Sequence, residues 1–202
     1  MSNIHTRSRG FTLIELTITV AIMGILAATA IGLMRAQQLR AKRTEAMTNV
    51  EAIAKLERSY FGENGIYPAA IPAPGLAPGA KQNWDPVAVA ALGNPSFATL
   101  GYQAEGSVWF VYDVNSGSGI CVCPSNACFT ASAYGDSDLD TNVSAVAMFH
   151  ADGAGVVCPT SVLPAVTPPI DPGSGLPLLD QPIDIYTYDS MFGTIPQRAD
   201  DY

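Results

Sequence analysis

The sequence predicts an α+β protein: one long amino-terminal helix, part of it packed on an antiparallel β-sheet, with a loop-rich carboxyl-terminal region that contains disulfides. Three observations lead there. No proline occurs before Pro68, and the stretch from Phe11 to Phe61 reads as helix throughout. Segments dense in β-branched and aromatic residues follow between Ser107 and Val157. All 15 prolines and 16 of the 18 glycines lie outside residues 11–61, so turns and loops belong to the rest of the chain.

Charge separates the same two regions. Residues 1–59 hold eight of the ten basic residues against Glu15, Glu45, Glu51 and Glu57, a net of +4. Residues 60–202 hold Lys81 and Arg198 against fourteen acids, a net of -12. The second region is therefore expected to be a soluble acidic body. With 48% hydrophobic residues the chain is too apolar to be disordered. Its acidic balance lacks the clustered Lys and Arg that bind phosphate backbones, which excludes nucleic acid as a primary partner.

The helix comes first. After the polar segment 1–10, which contains Arg7 and Arg9, the 24 residues from Phe11 to Met34 carry one charge, Glu15. About 20 mainly apolar residues suffice for a helix to span a bilayer. From Arg35 onward Leu39, Ala46, Val50, Ile53 and Tyr60 recur at helical spacing among charged residues, an amphipathic continuation through 61. A helix of roughly fifty residues is on the order of 75 Å long, too long for the remaining chain to enclose. Two simpler readings compete. A cleaved secretory signal with its small-residue site at Ala27-Ala28-Thr29-Ala30 is one, although the apolar run is long for it and holds a glutamate. A permanent single-span anchor is the other.

Glu15 distinguishes them. An ionised carboxylate inside hydrocarbon costs roughly 2.5–3.5 kcal/mol at the helix centre and calls for a cation. No Lys or Arg lies within a helical turn of it, so the nearest candidate is a new α-amino group at Phe11, exposed by a cut after Gly10. Arg9-Gly10-Phe11-Thr12-Leu13-Ile14-Glu15-Leu16 resembles the prepilin motif of type IV pilins and type II secretion pseudopilins. The resemblance implies the type IV pilin fold, with 1–10 a leader removed by a prepilin peptidase that also methylates Phe11. It implies that Glu15 neutralises the amino terminus of a neighbouring copy during assembly. Gly24 matches a glycine usual in the family, whereas Gly32 stands where proline is common, so the melting of 24–32 in a filament that the resemblance implies is less strongly driven here and stays open.

One signal runs against the family orientation. Arg35, Arg40, Lys42 and Arg43 outnumber Arg7 and Arg9, and the positive-inside rule alone would place the carboxyl side in the cytoplasm. The resemblance places the leader there instead and the body in the periplasm. The basic cluster is read either as contacting acidic surface on a neighbouring subunit or as a solvated helix face.

The body spans 62–158, followed by a strap at 159–202. Gly62, Asn64, Gly65 and Pro68 end the helix, and Gly65-Ile66-Tyr67-Pro68 also resembles the helix exit of many pilins and pseudopilins. Asp85-Pro86 starts an expected short helix through Leu92. Strands are expected at Ser107–Val114, central because it is apolar on both faces, and at 127–134 and Val143–His150. Asp152-Gly153 signals a hairpin into Val156-Val157, and Ile183–Tyr188 alternates as an edge strand. A sheet of three to five strands is therefore expected. Trp109, Phe110 and Tyr112 are read as core rather than as a ligand box. The run Trp84, Phe97, Leu100-Gly101-Tyr102, Gly106, Phe110, Tyr112 is also similar to pilin-like proteins of myxobacterial type.

Four cysteines, Cys121, Cys123, Cys128 and Cys158, suit two disulfides in an exported domain. Three connectivities are open; if that segment is a strand, Cys121 and Cys123 point to one face of it, so Cys158 is expected to join one of them and Cys128 the other. Zinc is the rival, but C-x-C-x4-C is poor spacing for it. Asp136, Asp138 and Asp140 supply alternate carboxylates for a possible calcium ion, although Thr141 and Ala147 stand where an EF-hand needs Gly and Glu. No nucleophile elbow, phosphate loop or metalloprotease motif occurs, and His150 ends a strand, so no enzyme is expected.

The family resemblance implies a type IV pilin precursor, polymerised into an extracellular filament for motility, adhesion or DNA uptake, with no cofactor beyond possible calcium. Its partners would be other copies of itself, the peptidase and N-methyltransferase, the assembly platform and its ATPase, and the inner membrane before assembly. A secretion-system pseudopilin is the first alternative, and a membrane-anchored periplasmic binding module the second.

Overall fold

The computed structural model describes residues 10–75, 80–85, 97–117, 121, 123, 127–136, 143–160, 168–189 and 193–195. The chain divides into two compact units, Met1–Arg40 and Ala41–Tyr202, and helix α1, Leu13–Asn64, contributes to both. The helix runs three residues beyond the expected end at Phe61. Gly65, at φ 71°, stops it in a left-handed conformation that a residue without Cβ adopts freely, and its N–H caps the carbonyl of Phe61 at 2.8 Å.

In the second unit, α1 is amphipathic as its sequence requires. Ala46, Val50, Ile53 and Ala54 are buried completely, at spacings of four, three and one. They join the core facing Tyr112, Val114, Phe129, Ala131, Ala133, Val146 and Met148, which alternate along three central strands.

That sheet has six strands in the order β1-β4-β5-β6-β7-β8, all antiparallel: β1 Ala70–Ala73, β4 Val111–Ser116, β5 Phe129–Gly135, β6 Val143–His150, β7 Ile183–Asp189 and β8 Gly193–Ile195. A second, two-stranded sheet pairs β2, Gln82–Asn83, with β3, Ser107–Val108. Beside it Trp84, Phe97 and Tyr102 form an edge-to-face cluster with centroids 5.2 and 5.3 Å from the indole, Phe97 opening the four-residue helix α2, Phe97–Leu100.

Several expectations need correction. The single strand Ser107–Val114 is two strands that belong to different sheets. The break comes at Trp109, whose N–H donates to Glu45 Oε1 on α1 at 3.0 Å instead of entering a ladder. Its indole is half-buried under the Lys42 ammonium, 3.8 Å from the ring centroid, while Phe110 and Tyr112 are core as expected. The strand expected at 127–134 is Phe129–Gly135. Gly135 allows a close approach there, since a Cβ would lie 3.0 Å from the Trp109 carbonyl oxygen and would press on that backbone. No strand forms at Val156-Val157. Asp152 Oδ1 instead accepts the N–H groups of Ala154 and Val156 at 2.9 and 2.8 Å and holds a closed turn. The strand expected at an edge is β7, an inner strand paired on both sides. The sheet therefore exceeds the expected five strands. The short helix expected from Asp85-Pro86 to Leu92 lies outside the described residues apart from Asp85.

The carboxyl-terminal region is tied to the body by charge as well as by the β6–β7 ladder. Arg58 on α1 donates to Asp180 Oδ1 at 2.9 Å, and His150 Nδ1 meets the same oxygen at 2.6 Å. Asp180 sits at φ 58°, a left-handed conformation that Asp tolerates better than most residues. Arg43 reaches Asp184 at 3.6 Å. Arg43 and Lys42 of the basic cluster are thus engaged within their own chain, a third outcome beside the two the sequence offered.

Candidate functional site at the amino-terminal helix

In the first unit, every described side chain from Gly10 to Arg35 is exposed. The helix here presents Leu13, Ile14, Leu16, Ile18, Val20, Ile22 and their successors on all sides, an arrangement that suits lipid or other helices, not water. It is long and apolar enough to cross a membrane. Its hydroxyls are satisfied internally: Thr17, Thr19 and Thr29 donate to the carbonyls of Ile14, Leu16 and Leu26 at 2.9–3.0 Å. Closing each hydroxyl on the preceding turn removes the polar cost of placing it in hydrocarbon.

The remaining polar group is Glu15. Thr12 is the N-cap of α1 and Glu15 the third helical residue, and the two form a capping box. Glu15 N–H donates to Thr12 Oγ1 at 3.3 Å, while Thr12 N–H and Oγ1 both donate to Glu15 Oε2, at 2.9 and 2.8 Å. A Thr followed three residues later by Glu was legible in the sequence as this motif, and the reading from charge alone missed it. Both donors converge on Oε2, which leaves Oε1 for a cation, and none of the ion pairs among the described residues involves Glu15. Phe11, 87% exposed, and Gly10 precede the cap outside the helix, where a peptidase could reach the bond between them. Gly24 and Gly32 lie within unbroken helix, and a Cβ at either would meet nothing within 4 Å. Neither glycine is demanded by packing within this chain.

The remaining predicted residues lie in the second unit. Disulfides join Cys121 to Cys158 and Cys123 to Cys128, the arrangement in which Cys121 and Cys123 take different partners. Paired sulfurs offer no thiolate to zinc. Of the three carboxylates considered for calcium, Asp136 follows β5, and Asp138 and Asp140 lie outside the described residues. His150 is structural, packed on Phe129 and Tyr67 and paired with Asp180.

Sequence reasoning also missed Glu57. It continues the buried stripe of α1, is fully buried, and neither carboxylate oxygen has a hydrogen-bond partner among the described residues. Desolvation pushes its pKa up to about 9, so the group is a neutral acid at pH 7.

Known proteins resemble this chain most clearly at its amino-terminal end. The family described as the prokaryotic N-terminal methylation motif matches residues 5–31. Over 67 residues the chain is 49% identical to the type IV major pilin protein PilA of Myxococcus xanthus, covering 33% of this chain and 30% of that protein. It is 41% identical over 69 residues to the type IV major pilin protein PilE1 of Neisseria gonorrhoeae, 34% of this chain and 32% of the other. The match thus spans about a third of each of those two relatives. A longer match, 31% over 128 residues, joins it to the fimbrial protein EcpC of Eikenella corrodens, covering 59% of this chain and 84% of that one. No solved structure matches.

Proposed function

The chain belongs to the type IV pilin family, and on that premise we propose that it is a pilin precursor, cut after Gly10, methylated at Phe11 and polymerised through its apolar helix into an extracellular filament. The observation that carries this reading is the carboxylate of Glu15, which caps the exposed apolar half of the helix with Oε2 and has no partner for Oε1 among the described residues. Two apolar helices slide past one another at little cost. A carboxylate that needs one cation penalises every register except the one that brings a neighbour's new amino group to it.

The sequence of events runs from the membrane outward. The helix first holds the subunit in the inner membrane, with the leader in the cytoplasm and the disulfide-bonded body in the periplasm, where such bonds persist. A prepilin peptidase and N-methyltransferase act on the Gly10–Phe11 bond and the new terminus. An assembly platform driven by an ATPase then moves the subunit into the filament, so the chain is a substrate and building block rather than an enzyme. Relatives named as major pilins favour a surface fibre over a secretion pseudopilin.

Amino-terminal mass spectrometry of the membrane and shed forms tests the reading, with N-methyl-phenylalanine at residue 11 expected. A chain that retains residues 1–10, or one that begins near Thr29, would overturn it. Imaging of shed material then separates long fibres from short pseudopilin assemblies.

A further inference from the structure

The four cysteine sulfurs all lie within 4.8 Å of one another, so the two disulfides are in contact. Across the bonds, Cys128 Sγ is 3.5 Å from Cys158 Sγ and Cys121 Sγ is 3.9 Å from Cys123 Sγ. These are the two pairs that the pairing 128–158/121–123 would join, each near the contact distance from which a thiolate attacks a disulfide, while Cys121 Sγ also lies 3.8 Å from Cys128 Sγ, one bond of the third pairing 121–128/123–158. Exposure is unequal: Cys123, Cys128 and Cys158 are buried, and Cys121 is half-buried. We infer that the cluster is a thiol-entry site at which a small-molecule thiolate, reacting at Cys121, interconverts the pairing 121–158/123–128 with the pairing 128–158/121–123.

The exchange balances in three steps. The external thiolate attacks Cys121 Sγ, forming a mixed disulfide there, and the electron pair of the broken bond leaves on Cys158 Sγ. The Cys158 thiolate attacks Cys128 Sγ 3.5 Å away, forming Cys128–Cys158 and releasing Cys123 as thiolate. The Cys123 thiolate attacks Cys121 Sγ, 3.9 Å away, forming Cys121–Cys123 and expelling the external thiolate. Nothing is oxidised or reduced overall, so the small thiol is a catalyst. The rearrangement moves the tether of Cys158, which follows β6, from the β4–β5 connection to Cys128, next to β5. The proposal does not depend on the chain forming a fibre.

The test uses the full chain in detergent, incubated with reduced glutathione at roughly one thiol per ten chains, then acid-quenched, digested and mapped by fragmentation mass spectrometry. Both pairings are expected, with rearranged linkages exceeding the thiol added several-fold. Persistence of the original pairing alone, or rearrangement limited to one linkage per thiol, would overturn the proposal. Two variants read the geometry directly. In Cys121→Ser/Cys123→Ser the remaining cysteines should form Cys128–Cys158, and in Cys128→Ser/Cys158→Ser they should form Cys121–Cys123, with no thiol free to react with iodoacetamide. Two labelled thiols in either folded variant would count against it, and the unmutated chain decides the matter if a variant does not fold.

Discussion

The backbone N–H of Thr12 donates to Glu15 Oε2 at 2.9 Å, so the charge proposed to direct assembly also caps the helix that carries it. The two duties separate by substitution. Glu15→Gln keeps a carbonyl oxygen for the cap and loses the charge, while Glu15→Ala loses both. The cap contributes about 1 kcal/mol, which a long helix held in a membrane tolerates. Both variants are expected to be cleaved after Gly10, and both are expected to reduce fibre yield severely, since the missing element is the charge. Sheared-fibre yield against membrane-held subunit measures this, and normal fibres from Glu15→Gln would sink the idea.

Glu57 sets a pH dependence that belongs to the body alone. Its pKa rises from 4.5 to about 9 on folding because burial penalises the anion. Between those values the folded state binds more protons than the unfolded chain, so stability falls as pH rises through this window. The sign is opposite to that of a salt-bridged carboxylate. At ~1.4 kcal/mol per pKa unit the loss is on the order of several kcal/mol by the upper end. Glu57→Leu removes both the orphaned oxygens and the titration. Its stability should exceed that of the parent by a margin that widens from pH 5 to pH 9, roughly 3 kcal/mol from the titration alone at neutrality, read as a rise in melting temperature. A constant margin across that range would show that the carboxyl does not titrate as described.

Glu57 also shows where sequence reading stops. The buried stripe Val50, Ile53, Ala54 continues at 57 by helical spacing, but an acid there is discounted until packing shows it enclosed. Strand β6 was legible to the residue, because Val143–His150 is apolar and bounded by turn-forming residues. The division of 107–114 was not, since it rests on Glu45, 64 positions away in the chain, taking the N–H of Trp109. β7 was legible by alternation, yet its inner position depends on β8, three residues that carry no pattern of their own. At the start of the helix both signals are local, the Gly-Phe junction, which charge and motif reveal, and the Thr-x-x-Glu cap, which the reading from charge passed over.

The carboxyl-terminal region should loosen with salt. Asp180 gathers Arg58 and His150, and Asp184 meets Arg43, while neither disulfide reaches beyond Cys158. Half-exposed pairs of this kind contribute about 0–1 kcal/mol each and are screened by salt. Asp180→Asn tolerates the left-handed backbone and deletes the charge, so the loss is electrostatic. Faster amide exchange is expected over 178–189, with β4 to β6 unchanged, and molar salt should produce the same pattern in the parent. Equal protection in parent and variant would mean that the β6–β7 ladder and apolar contacts such as Leu179 with Phe149 hold the segment without the ion pairs.

Gly24 and Gly32 separate the demands of the subunit from those of the fibre. In the single chain both lie in regular helix with open space where a Cβ would stand. Alanine at either position should therefore stabilise the helix by about 0.5–1 kcal/mol, with no clash to offset the gain. A membrane-held subunit would accumulate at least as well as the parent. If the stretch between them must lose helical structure when subunits enter the filament, that same gain becomes a cost. Gly24→Ala/Gly32→Ala should then form fewer fibres from an undiminished pool of processed subunit. Each single variant should fall between the double variant and the parent. Fibre yield and subunit pool measured together decide it: undiminished fibres from the double variant would mean that the helix stays intact on assembly.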